Sequence, residues 1–231
     1  MRPLSVGRPV WFRTEERPLF GWLSAPDDER ARGLVVVCNP LGSECDNAQV
    51  AFESLAEDLV AAGAAVLRFD YDGTGDSAGS WTDGDRIGAW KESVCAAVAF
   101  GRATVAGPVV VVGMRMGALL AWDALHDVEG VSALVLWDPC LHGRQFLREQ
   151  ALLLSAAYGE GQPGEGAAEG PATYYEPETA GALTAYDPFA DPVPPAPSVL
   201  LLTRQGRSLG KALAPIAEAP GVEAGTVDGQ A

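Results

Sequence analysis

Short, largely apolar runs recur along this chain, separated by longer stretches in which apolar residues fall every three or four positions. The short runs predict buried strands at Gly33–Cys38, Ala65–Phe69, Val109–Val112 and Ala133–Trp137. The longer stretches predict helices. One covers Asn47–Ala62, with Val50, Phe52, Leu55, Ala56 and Leu59 at helical spacing and Gly63 to end it; others cover 86–101 and Gly117–Leu125. Ahead of them, Val10-Trp11-Phe12 and Leu19–Leu23 flank a charged turn through Glu15-Glu16-Arg17, and Pro26-Asp27-Asp28 closes this two-strand unit. Strands alternating with helices predict βαβ units and a parallel sheet covered on both faces. Right-handed crossovers then place every strand-to-helix loop along one carboxyl edge, where α/β ligand sites lie.

Residues 141–197 interrupt this rhythm. A helix over Gly143–Ala157 is followed by Gly- and Glu-rich Tyr158–Gly170, and the stretch ends in Asp191-Pro192-Val193-Pro194-Pro195-Ala196-Pro197. A low-complexity middle with prolines behind it predicts a flexible excursion above the sheet. The alternation resumes with a strand at Ser198–Thr203, a helix at Leu209–Glu218 and a last strand at Val222–Val227. No internal repeat is present, and 231 residues suffice for one α/β domain with a large core.

Composition narrows the function classes. The chain is 48% hydrophobic, yet no apolar run reaches bilayer-spanning length and the first eight residues lack a secretory signal, so a cytoplasmic protein is expected. A net charge of −15, from 16 basic and 31 acidic residues, argues against nucleic acid or an anionic membrane as partner. Cys38, Cys45, Cys95 and Cys140 lack C-x-x-C spacing and have only two histidines beside them, which predicts free thiols, no metal and no cofactor.

The run from Val109 to Ala121 reads as strand, tight turn and helix, with Gly113 and Gly117 two residues either side of Arg115. That is the frame of a G-x-S-x-G nucleophile elbow with arginine at its apex. Two further loops complete a pattern: Cys38-Asn39-Pro40-Leu41-Gly42-Ser43-Glu44 after the first buried strand, and Asp70-Tyr71-Asp72-Gly73-Thr74-Gly75-Asp76-Ser77-Ala78-Gly79 after the next. In this order the three segments resemble the α/β-hydrolase superfamily over nearly the whole chain. The nearest likeness is to its serine-aminopeptidase-like branch, including hydrolase-like proteins of exosortase systems. The resemblance implies an α/β-hydrolase fold, a lid over about 141–197, ester or acyl hydrolysis, and a Ser-His-acid triad. Here the nucleophile position holds Arg115. The acid position after Ser198–Thr203 holds Arg204-Gln205-Gly206-Arg207, and the histidine position holds Asp228-Gly229-Gln230-Ala231, with no final helix.

Each candidate residue admits two readings. Arg115, at a helix N-terminus with Met116, suits a clamp for a carboxylate or phosphate, or else pairs internally with Asp70, Asp72, Asp76 or Asp138. Asp138 is an orienting carboxylate, or an Asp-Pro turn that caps a strand. Cys140 with His142 has the residue types of a nucleophile pair, yet in an extended segment the two do not converge, which leaves a thiol at the site's rim. Asn39, Leu41, Gly42 and Ser43 border the crevice, and backbone N–H groups around Leu41 suit an oxyanion. Asp70 and Asp72 would face a ligand or a cation, or would bind local backbone. His126 should fall at the opposite edge. Leu141, Phe146, Leu147 and Leu152–Leu154 line an apolar pocket or merely seat their helix, and Tyr174 and Tyr175 stack on a ligand or close the segment.

Two function classes follow. In one, the protein is a hydrolase-family member without the serine mechanism that binds an acyl-type or anionic small molecule or a partner's tail. In the other, it is an unusual acyl or ester hydrolase or cyclase, with Arg115 as electrophile and Asp138 or the Asp70–Asp76 loop as base toward water. Edge strands at 10–23 or 222–227 would allow a homodimer.

Overall fold

The computed structural model describes residues 7–26, 31–159, 163–171 and 173–228. A hairpin of β1 (Arg8–Arg13) and β2 (Pro18–Ser24) leads into β3 (Leu34–Cys38), α1 (Ser43–Ala61), β4 (Ala65–Phe69) and α2 (Arg86–Thr104). β5 (Val109–Met114), α3 (Met116–Ala124), β6 (Ala133–Trp137) and α4 (Gly143–Tyr158) follow. A small hairpin of β7 (Ala168–Gly170) and β8 (Thr173–Tyr175), then α5 (Pro177–Ala185), lead to β9 (Val199–Arg204), α6 (Gly210–Ala217) and β10 (Val222–Val227).

Eight strands form one sheet in the order β1-β2-β4-β3-β5-β6-β9-β10. Only the β1–β2 and β2–β4 pairings are antiparallel. The rest are parallel, with Val36 of β3 opposite Leu67 of β4 and Val111 of β5. Apolar residues on both faces of β3 and β5 explain the unbroken hydrophobic runs, since a parallel strand in the centre of a sheet has no wet side. On one face Leu34, Val36, Leu67 and Val111 pack with Trp90 and Val94 of α2 and Leu119 and Trp122 of α3. On the other, Val35, Val37, Val66 and Val112 pack under Phe52 and Ala56 of α1.

Two local differences from the sequence reading bear on the site. α1 begins at Ser43 rather than Asn47, because Gly42 takes φ 67° and turns the chain directly from the β3 loop into the helix. Glu44 therefore lies in the first turn of α1, beside the crevice. The 141–197 segment carries more regular structure than its Gly- and Glu-rich middle predicts. Phe146 of α4 is fully buried and packs on Tyr175 of β8 at 6.0 Å, and Phe189 packs on Trp122 at 5.3 Å. These aromatic anchors pull the segment onto the sheet. The last strand falls at Val222–Val227, as its apolar spacing predicts. The histidine and final helix sought after it would lie outside the described residues.

Candidate functional site: an arginine at the strand-to-helix elbow

β5 ends at Met114, and the chain reverses into α3 through Arg115 alone, at φ 54° and ψ −119°. A non-glycine residue in this region costs about 1–3 kcal/mol, so the surroundings must hold it there. They do so through the backbone: Arg115 N–H donates to Trp137 O at 3.1 Å, and Arg115 O accepts from Ala118 at 3.2 Å and Cys140 at 3.3 Å. Gly117 makes the turn sterically feasible, since a Cβ there would lie 2.3 Å from the carbonyl oxygens of Cys38 and Asn39.

The Arg115 side chain points into the crevice and is only 6% exposed. Its Nε donates to Glu44 Oε1 at 2.9 Å, and Nη1 lies 3.3 Å from Asp138 O and 3.5 Å from Asp138 Oδ2. Its Nη2 donates to Glu149 of α4. Gln145 steadies that carboxylate from one turn earlier, its Nε2 donating to Glu149 Oε1 at 2.7 Å. Burial opposes the guanidinium charge, but the Glu44 and Glu149 carboxylates outweigh it and raise the Arg115 pKa above its ordinary value. The group is a fixed cation.

Asp138 follows β6 with φ 44° and is almost wholly buried. Besides facing Arg115, it accepts from Arg204 Nε at 2.6 Å on one oxygen and from Arg207 Nη1 on the other. Arg204 ends β9 and Arg207 lies in the loop after it. Three guanidinium groups thus interlock with three carboxylates drawn from the elbow, α1, α4, the turn after β6 and the end of β9 with its loop. An open cleft of about 680 Å3 lies against this cluster, with Leu152 and Leu153 of α4 on its apolar side.

The residues singled out from sequence fall into three groups. Arg115, Met116, Asp138, Cys140 and His142 gather around the elbow. Cys140 is fully buried there rather than at the rim, because Asp138 turns the chain inward and Cys140 N–H bonds Arg115 O. Burial pushes its thiol pKa up to about 12. His142 caps α4, its Nδ1 accepting from Gln145 N–H at 3.0 Å, so the proton sits on Nε2.

Asn39, Leu41, Gly42, Ser43 and Asp70 line a second cleft, of about 320 Å3. Asn39 is partly structural: its Nδ2 donates to Phe69 O at 2.9 Å, and its carbonyl accepts from Tyr71 at 3.0 Å. Asp70 accepts from Asp76 N–H at 3.0 Å, while burial raises its pKa.

Asp72 stands apart from both groups. It is fully buried and binds Arg13 Nη1 at 2.9 Å, Arg17 Nη2 at 2.6 Å and Arg86 Nη1 at 2.9 Å, tying the first hairpin to α2. Expected beside a ligand, it is a structural anchor instead, since the turn after Asp70 carries alternate side chains to opposite sides. Burial alone would raise its carboxyl pKa; hydrogen bonds from Arg17 and Arg86 outweigh that and lower it. Exposed His126 bonds Trp122 O at 2.9 Å and Val193 O at 3.1 Å.

Glu44, Glu149, Arg204 and Arg207 were not among the candidates read from sequence. Only one signal pointed to them: a cation at the elbow needs buried carboxylates, and two more arginines in the β9 loop need others. Which acids answer is a matter of three-dimensional proximity.

The family model described as serine aminopeptidase, S33, matches residues 29–180. No curated protein matches the chain. Among solved structures, Est1E from Butyrivibrio proteoclasticus bound to ferulic acid is similar at a TM-score of 0.72 and 17% identity, over 95% of this chain and 89% of that one. The Pyrococcus furiosus esterase Pf2001 is similar at a TM-score of 0.66 and 18% identity, over 98% and 83%. A putative hydrolase from Agrobacterium vitis S4 is similar at 0.62 and 21%, over 96% and 90%. At these identities the neighbours establish the fold, and the family match covers well over half the residues: the chain belongs to the serine aminopeptidase S33 family of α/β hydrolases.

Proposed function

We propose that this protein is an α/β-hydrolase-family member that does not use the serine mechanism and binds an acyl-type or anionic small molecule beside the elbow. One observation carries this reading: the elbow holds a buried guanidinium bonded to Glu44 and Glu149 and facing Asp138. A permanently protonated group cannot attack a carbonyl. Further support comes from the sequence's two histidines, one of which caps α4 while the other bonds backbone carbonyls. The hydrolytic alternative, with Asp138 as base toward water, draws less support, because both Asp138 oxygens already accept from guanidinium groups. In this reading the 141–197 segment serves as a lid, the protein works in the cytoplasm, and copies pair through β1 or β10, the two edges of the sheet.

The test is direct. The purified protein is treated with a fluorophosphonate probe and assayed on p-nitrophenyl esters of several chain lengths. Silence in both supports a binding role. Labelling, or turnover abolished by Arg115→Ala or Asp138→Ala, overturns it.

A further inference from the structure

The charges of the elbow cluster are balanced in total but not in place. Arg115, whose side chain is 6% exposed, lies with Glu44 and Glu149, which are 19% and 31% exposed, one cation beside two carboxylates. Arg204 and Arg207, 39% and 24% exposed, share the single buried carboxylate of Asp138. The side of the cleft lined by Glu44 and Glu149 therefore carries an excess negative charge, and the side lined by Arg204 and Arg207 an excess positive one. An incoming anion is repelled from the elbow and drawn to the β9 loop. Donors are free there as well. Arg204 uses only Nε and Arg207 only Nη1 toward Asp138, and among the described residues the remaining N–H groups of the two forks have no side-chain partner, which suits them to an oxyanion.

The opposite wall has different chemistry. Leu152 and Leu153 of α4 line the same cleft and are 59% and 45% exposed, although they lie in the middle of a helix whose Phe146 is fully buried. Adjacent exposed leucines facing a guanidinium pair describe an amphipathic ligand with an anionic end and a hydrocarbon end.

We infer that the cleft takes a monoanionic acyl amphiphile, such as a free medium-chain carboxylate, with its head on Arg204 and Arg207 and its chain along Leu152 and Leu153. This rests on the binding reading above and deepens it, because the head group is assigned to the β9 loop and not to Arg115. The orientation is one in which the carboxylate never reaches the elbow.

Isothermal titration calorimetry on the full chain tests this with decanoate, acetate and decyltrimethylammonium. Decanoate should bind saturably, with acetate and the cationic amphiphile weaker by about tenfold or more. Leu153→Asp, which is exposed and outside the ion cluster, should weaken decanoate by about tenfold or more without altering the melting temperature. Arg204→Gln with Arg207→Gln should weaken decanoate as much; it also strips buried Asp138 of its two closest cations, so its melting temperature should fall, and circular dichroism at the titration temperature checks that the fold is kept. Absence of saturable decanoate binding, equal binding of the cationic amphiphile, or unchanged affinity in Leu153→Asp each overturns the inference. Ester turnover or fluorophosphonate labelling would instead overturn the non-catalytic reading and leave the head-group assignment standing.

Discussion

Arg115 Nε donates to Glu44 Oε1 at 2.9 Å, joining the turn after β5 to the first turn of α1. In a serine hydrolase of this fold, the space between those two turns belongs to the substrate. Here a charge-assisted hydrogen bond crosses it, and Glu149 closes the far side from α4. The strand-to-helix turn at Arg115 thus presents an ion pair to the crevice.

On the reading proposed above, a serine at position 115 should not confer ester hydrolysis. In Arg115→Ser, Glu44 and Glu149 are left facing each other without a cation, and the histidines among the described residues are engaged elsewhere, His126 on backbone carbonyls and His142 Nδ1 on Gln145 N–H. Ester turnover should stay at background. Urea denaturation should show a loss of about 2–3 kcal/mol, below the cost for fully buried pairs because Glu149 keeps some water contact. Turnover well above background would contradict the account.

The glycine frame should be intolerant. Gly117→Ala puts a Cβ 2.3 Å from two carbonyl oxygens, and Gly113→Ala puts one 2.5 Å from Ala118 Cα. Neither neighbour is a flexible side-chain end, so the backbone must move. Each substitution should cost about 3 kcal/mol or more in denaturant titration.

Acid stability should depend on Asp72. Its folded pKa lies below the unfolded value of about 3.9, so its contribution is present above that pH and is lost as pH falls through the folded value. Asp72→Asn should cost about 3 kcal/mol at pH 7 and flatten the loss of stability below about pH 4. Asp70 has the opposite sign. Its raised pKa means that the folded state favours the protonated form, so stability falls as pH rises through that value. Asp70→Asn should be neutral or stabilising by about 1 kcal/mol or less at pH 7, since an amide oxygen can still accept from Asp76 N–H.

The thiols should be inert in the folded protein. Burial pushes Cys140 and Cys38 up to about 12 and Cys45 up to about 11, which leaves almost no thiolate at pH 8. Ellman's reagent should react slowly with native protein and rapidly with four thiols in guanidinium chloride. A fast native thiol lost in Cys140→Ser would indicate that the Cys140–His142 segment is reactive after all.

The central strands were legible because runs such as Leu34–Cys38 and Val109–Val112 hold no polar residue to place, and a centrally buried parallel strand needs that composition. The helix N-terminus at Ser43 was less legible. Its cap is a backbone turn at Gly42 rather than a side-chain signal, so periodicity alone placed the start at Asn47. The elbow was legible to the residue, because Gly113 and Gly117 are both demanded by close backbone approach. The partners of Arg115 were not. Asp138, near in the crevice and weighed in advance, shares it with Glu44 and Glu149, which lie 71 and 34 positions away along the chain.

By itself, the amino-acid order determined the layering, the positions of the buried strands and the presence of a fixed cation at one turn. Those features depend on short-range spacing and on the intrinsic chemistry of each side chain. Only the tertiary structure decided that Glu44 and Glu149 close on that cation, that Arg204 and Arg207 share Asp138, and that Asp72 serves the first hairpin instead of the crevice. Ion pairing is chosen by distance in space across a low-dielectric interior, and spacing along the chain does not record that distance.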